Sequence, residues 1–140
     1  MAVKMKTMTK EQKELLIKDI CARLPYGIKA QDYEDESPYI IIGYEDSYFS
    51  DNDGRVHRWD NIKPHLFPLS SITKEQRDEF PFELSLLNAF INGHISLFED
   101  EELSVDDITR MMDCLNRKHI DYRGLIPMGL AVDATGKNIY

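Results

Sequence analysis

Side chains able to do chemistry are few in this sequence and scattered along it. The four histidines, His57, His65, His94 and His119, fall on four different elements. None belongs to an HExxH or CxxC spacing of the kind that gathers ligands around zinc, and only His57 has a carboxylate, Asp60, close by in sequence. The sequence therefore assigns no metal and no cofactor. The stretch "DNDG", Asp51 to Gly54, resembles the middle of a calcium loop, with acidic residues at alternate positions before a glycine. Aligned that way, however, Phe49 occupies the first ligand position and Asp60 the twelfth, where a bidentate glutamate is usual. A hairpin turn is the better reading. Ser70 and Ser71 precede a helix-start pattern and read as turn or capping residues; no nucleophile elbow, glycine-rich phosphate loop or dinucleotide fingerprint is present.

Binding residues are easier to nominate. Trp59, flanked by Arg58 and Asp60, sits at the end of a predicted strand, where an indole either stacks on a ligand or anchors the core. "HIDYRGLIPMGLAVD", residues 119 to 133, follows a predicted helix and places Gly124 where the chain must reverse. Leu125, Ile126, Leu130 and Val132 are then free to pack as a structural clasp. Tyr122 and Arg123 form a polar pair that such packing does not require. Trp59, His57, His65, Tyr122 and Arg123 are accordingly the candidate site residues. Cys21 and Cys114 match no redox spacing, fall on apolar helix faces and read as reduced, buried thiols.

The elements that must position these residues follow from periodicity. Thr9 and Gln12 form a capping-box pattern, and Leu16, Ile17, Ile20, Cys21 and Leu24 recur at helical spacing until Pro25. Tyr26–Tyr33 and Pro38–Tyr44 read as strands, followed by a hairpin pairing Asp46–Phe49 with Arg55–Trp59 across Asp53-Gly54. "IKPHLFPLSS", from Ile62, has two prolines four residues apart, which predicts an extended segment crossing the sheet but not a central strand. Helices are predicted from Thr73 to Pro81, over Phe82–Asn92, and from Ser104 to about His119. The pattern implies one α+β domain over 1–140: a small antiparallel sheet of three to four strands packed with an N-terminal helix and two to three C-terminal helices.

With 140 residues, 42% hydrophobic and 30% charged, the chain has the composition of a globular protein. No apolar run approaches the length of a membrane span and no signal-peptide pattern opens the chain, so a cytoplasmic protein without membrane contact is expected. The net charge of −8 is concentrated in residues 30–54 and 78–113. That balance disfavours nucleic acid as a partner, because phosphate binding needs clustered cations. The acidic positions Asp32, Glu34, Asp35, Glu36, Glu45, Asp46, Asp51 and Asp53 either form one negative face or are solvated loop tips. The sequence carries no signal for an oligomeric state.

Three segments, "LIKDICARLPYGIKAQ" (16–31), "IKPHLFPLSSIT" (62–73) and "CLNRKHIDYRGLIPMGLAVDA" (114–134), resemble in order three landmarks of a family of small uncharacterised proteins of gut bacteria found in prophage and other mobile regions. The family landmarks are DLCARLPYG, KPYLRPMSSMT and WLNxxxFDYRGLIxxGLA; His65 and Phe67 depart from the second. The resemblance implies a shared fold and a mobile-element origin, and no activity. Function is expected to be non-catalytic binding of another macromolecule, most plausibly a protein. The alternatives are an enzyme or ligand-binding accessory with a site near Trp59, Tyr122 and Arg123, and an acidic mimic of nucleic acid.

Overall fold

The computed structural model describes residues 8–73 and 105–140. Helix α1 spans Lys10–Arg23. Its start is fixed by a reciprocal cap: Thr9 Oγ1 accepts from the Gln12 N–H, and Gln12 Oε1 from the Thr9 N–H, each at 3.1 Å. The face it buries is Leu16, Asp19, Ile20 and Arg23, while Ile17, Cys21 and Leu24 are only partly covered. A charged pair thus lies on the inner stripe. A single 3-10 turn, Leu24–Tyr26, and Gly27 at φ +70° swing the chain into the sheet.

Five strands then form an antiparallel array: β1 (Lys29–Asp32), β2 (Tyr39–Glu45), β3 (Tyr48–Asp51), β4 (Val56–Arg58) and β5 (Ile62–Pro68). A tight turn with both Asp46 and Ser47 at positive φ joins β2 to β3, the twist that two-residue hairpins favour. The predicted Asp53-Gly54 turn joins β3 to β4, with Gly54 at φ +85°. The first of these turns contains no glycine, so the sequence pattern placed Asp46 inside a strand.

Helix α2 (Val105–Arg117) leads through His119, at φ +58°, into β6 (Ile120–Asp121), and the chain finishes with β7 (Val132–Asp133). Both short strands run parallel to β5. The Phe67 N–H donates to His119 O and Leu66 O accepts from the Ala134 N–H. Neighbouring residues of an extended strand turn these groups to opposite sides, so β6 and β7 lie on opposite edges of β5. The order is β4-β3-β2-β1-β5-β6, with β7 also on β5.

The expected architecture is therefore corrected. In place of a small antiparallel sheet of three to four strands there is, among the described residues, a mixed sheet of seven, and "IKPHLFPLSS" supplies an interior strand paired on both edges. Pro64 lies opposite Ala30 and brings no N–H to that rung, while Pro68 closes the strand. Burial of Ile62, Pro64 and Leu66 outweighs the lost rung. The described residues contain one C-terminal helix of 13 residues beside the 14-residue α1; the helices expected over 74–92 lie outside them.

Two apolar clusters result. The larger packs Leu16 and Ile20 of α1 against Ile28, Ala30, Ile41, Phe49, Ile62 and Leu66 of the sheet region, closed by Leu125, Leu130 and Ala131. The smaller joins Ile72, Met111, Cys114, Leu115, Ile120 and Tyr122. The stretch 119–133 supplies residues to both, which is what a clasp requires. Cys21 and Cys114 are free thiols, Cys114 buried and Cys21 partly so.

Candidate functional site

The clusters meet at a buried ionic knot. Arg23 and Asp19, both without exposed surface, pair through two hydrogen bonds, Nε–Oδ2 at 3.0 Å and Nη2–Oδ1 at 3.1 Å. Arg23 also donates to the carbonyls of Leu115 and Ile120, at 3.4 and 2.6 Å. Arg123 reaches across from the other end of the chain to place Nη1 2.8 Å from Asp19 Oδ1. Both guanidiniums stack over the Tyr122 ring, 5.2 Å away for Arg23 and 4.6 Å for Arg123. The Tyr122 hydroxyl donates to Asn116 Oδ1 at 2.8 Å. Burial raises its pKa, and the charge of Asp19 adds to the rise; the two arginines pull the other way without reversing it.

Asp121 fixes the turn that carries Tyr122 and Arg123. Its two carboxylate oxygens accept from the N–H groups of Leu125 and Ile126, each at 2.9 Å, and Gly124 reverses the chain at φ +77°. Above this turn opens a cleft of about 670 Å³ walled by Leu15, Pro68, Leu69, Ser70, Tyr122, Arg123, Ile126 and Pro127. Its walls come from α1, the end of β5 and the 119–133 stretch. The three stretches are far apart in sequence, α1 contributing Leu15 alone.

The five sequence candidates separate. Tyr122 and Arg123 line the cleft; the other three do not. Trp59 packs against the main core with the Lys13 ammonium 4.7 Å from its ring centre. His65 is buried on β5. His57 is a brace between strands: Nδ1 lies 3.0 Å from Asp32 Oδ1 and Nε2 2.7 Å from Asp51 Oδ2, and its ring stacks on Tyr39 at 3.9 Å. Tyr39 donates to the same Asp32 oxygen at 2.8 Å. Because the carboxylates engage opposite edges of the ring, they do not converge on one point as metal ligands would. Among the described residues no group of three ligating side chains is placed to hold a metal.

Asp51 shows why the calcium-loop alignment fails. Its Oδ1 accepts from the N–H groups of Asp53 and Arg55, at 2.8 and 3.0 Å, and its Oδ2 faces His57. Burial pushes this carboxyl up, but His57 and the two amides together hold it below the ordinary carboxylate range.

Asp19 and Arg23 were missed from sequence. The available signal was their spacing, since with Leu16 and Ile20 they complete an i, i+3, i+4, i+7 stripe. Comparison of the chain with protein-family models, curated proteins and solved structures gives no match. No helix among the described residues is long and apolar enough to cross a membrane.

Proposed function

We propose that this protein acts by binding and not by catalysis, and that the cleft beside Arg123 receives a segment of a partner protein. The observation that carries this reading is the meeting of three segments, far apart in sequence, around one cleft whose polar floor is locked by the Asp19–Arg23–Arg123 knot. Prolines, leucines and isoleucine supply apolar wall, and the Arg123 N–H groups not directed at Asp19 supply donors for a carbonyl or carboxylate. Among the described residues Ser70 is the one aliphatic hydroxyl in the lining, and no histidine, lysine or cysteine of the lining accompanies it as a base. The other polar groups are engaged: Asp121 by two amides, Tyr122 by Asn116.

The volume also suits a small ligand, which keeps an accessory ligand-binding role as the second reading. The nucleic-acid mimic loses support, because Asp32 and Asp51 are directed at His57 and do not form part of an outward row. A cytoplasmic location and the mobile-element origin implied by the resemblance belong to the same proposal. Neighbouring genes encoding phage or transfer functions would support the origin.

The test is native affinity purification at low salt, then reconstitution with the purified partner and calorimetry. Ser70→Trp, which fills the cleft, is expected to weaken binding about tenfold or more, the loss of roughly 1.4 kcal/mol, with an unchanged melting temperature. Equal affinity of Ser70→Trp and wild type would overturn the reading, as would turnover in a substrate screen.

A further inference from the structure

A second pocket, on the other face of the sheet, has a different chemistry. Ala30 pairs with Pro64 and Gln31 with Lys63 across β1 and β5. By strand alternation, Lys29, Gln31, Lys63 and His65 share the face opposite Ala30, Ile62 and Leu66. The C-terminal tail crosses this face: the Tyr140 hydroxyl donates to His65 O at 2.9 Å and accepts from the Lys29 N–H at 2.8 Å. Beside it lies a pocket of about 490 Å³ whose polar lining is Lys29, Gln31, Glu36, His65, Lys137 and Asn138.

Two features of this pocket call for a ligand. His65 is 1% exposed, and neither of its ring nitrogens has a hydrogen-bond partner among the described residues. A neutral imidazole presents one N–H and one lone pair, and leaving either unmet when buried incurs its desolvation cost. Native structures meet such groups with water or a ligand. The second feature is positive charge that no ion pair answers; the charge of Lys137 is felt by Asp133, a carboxyl outside the lining. In a chain of net charge −8, neither Lys29 nor Lys137 forms an ion pair among the described residues. Lys29 Nζ donates to Ile139 O and lies 5.7 Å from the Tyr140 ring centre, which leaves ammonium hydrogens free. Glu36, exposed at the rim, is the single carboxylate of the lining among the described residues.

We propose that this pocket binds a small molecule through an oxyanion group, phosphate or carboxylate, held by the Lys29 and Lys137 ammonium groups with His65 donating from the floor. The cavity is larger than a bare oxyanion needs and falls in the size range of small-ligand sites, so the physiological ligand carries a body beyond its anionic group. Burial, with the Lys137 and Lys29 charges added, holds His65 down to about 4. An anion between the lysines offsets that charge and draws His65 toward protonation.

The test is a titration of isotopically labelled protein with inorganic phosphate and, separately, acetate, at constant ionic strength set by chloride. The Lys137 and Asn138 amides and the His65 ring are followed by NMR. Saturable shifts confined to these groups are expected; a response to phosphate alone, acetate alone or both supports the site and identifies the anion. Lys137→Gln, at an exposed position, is expected to weaken binding roughly tenfold, the lower end of what one charge-assisted hydrogen bond is worth, with an unchanged melting temperature. Glu36→Gln is expected to tighten it. Absence of saturable shifts with both anions, the signature of a buried water only, overturns the proposal. So does binding that Lys137→Gln leaves unaltered.

Discussion

Asp19 has no exposed surface and takes three charge-assisted hydrogen bonds, two from Arg23 and one from Arg123. Removing it strands a fully buried guanidinium. Asp19→Ala is therefore expected to cost about 3–5 kcal/mol of unfolding free energy. Arg23→Met costs less, because Asp19 keeps Arg123 and the methionine refills the space. Urea denaturation of both variants checks the order, and a cost for Arg23→Met equal to that of Asp19→Ala would contradict it. His57 makes a second residue-scale prediction. His57→Phe keeps a ring against Tyr39 but takes the imidazole from Asp51, whose carboxyl burial raises and whose remaining supports are two amides. The pKa of Asp51, followed by carboxyl-carbon NMR, is expected to rise in that variant, with about 1–3 kcal/mol of stability lost.

At the scale of elements, the sequence was most legible where one local signal decided the outcome. The Thr9–Gln12 box starts α1 as its spacing predicts. Thr9→Ala is expected to lower stability by about 1 kcal/mol, read as a shift in urea midpoint without a change in slope. Gly124 is equally local: a Cβ there would meet nothing within 4 Å, so the φ of +77° is the whole objection to a side chain. Gly124→Ala should cost roughly 1–2 kcal/mol, with Tyr122 and Arg123 displaced at the cleft. Legibility failed where the deciding partner was distant. Pro64 argues locally against a central strand, yet β1 and β7 share one edge of β5 while β6 takes the other. β6 and β7, two residues each, are too short to show alternation. Of the cleft, Tyr122 and Arg123 were visible because apolar packing did not need them. Asp19 and Arg23 were not, because an i,i+4 ion pair normally marks the solvent face of a helix.

For the whole molecule, the C-terminal tail ties pH to stability. His119 stacks on Tyr140 at 4.0 Å and the main-chain carbonyl of His65 accepts from the Tyr140 hydroxyl, so two residues with buried imidazoles both hold one tail residue. Burial is the main cause that lowers each from 6.5 to about 4; Lys137 and Lys29 add to it at His65, Arg23 and Lys29 at His119. In the unfolded chain both titrate near 6.5. Above that value neither state is protonated and the native fold keeps its full stability. Between about 6.5 and 4 the unfolded chain takes up protons that the folded protein refuses, so stability falls as pH falls. Below about 4 the contribution is gone. Each histidine contributes up to roughly 3 kcal/mol across this window, and less than twice that together, since they share one packing region. Urea midpoints in chloride buffers from pH 7.5 to 4 are expected to fall, and His119→Asn, which tolerates the positive φ at that position, to flatten the decline. An oxyanion bound beside His65 would favour its protonated form and move part of the decline to lower stability cost. The same series with phosphate added should then show a shallower slope in wild type and a smaller change in Lys137→Gln. A midpoint independent of pH between 6.5 and 4 would mean that the two imidazoles titrate freely in the folded protein, contrary to their burial.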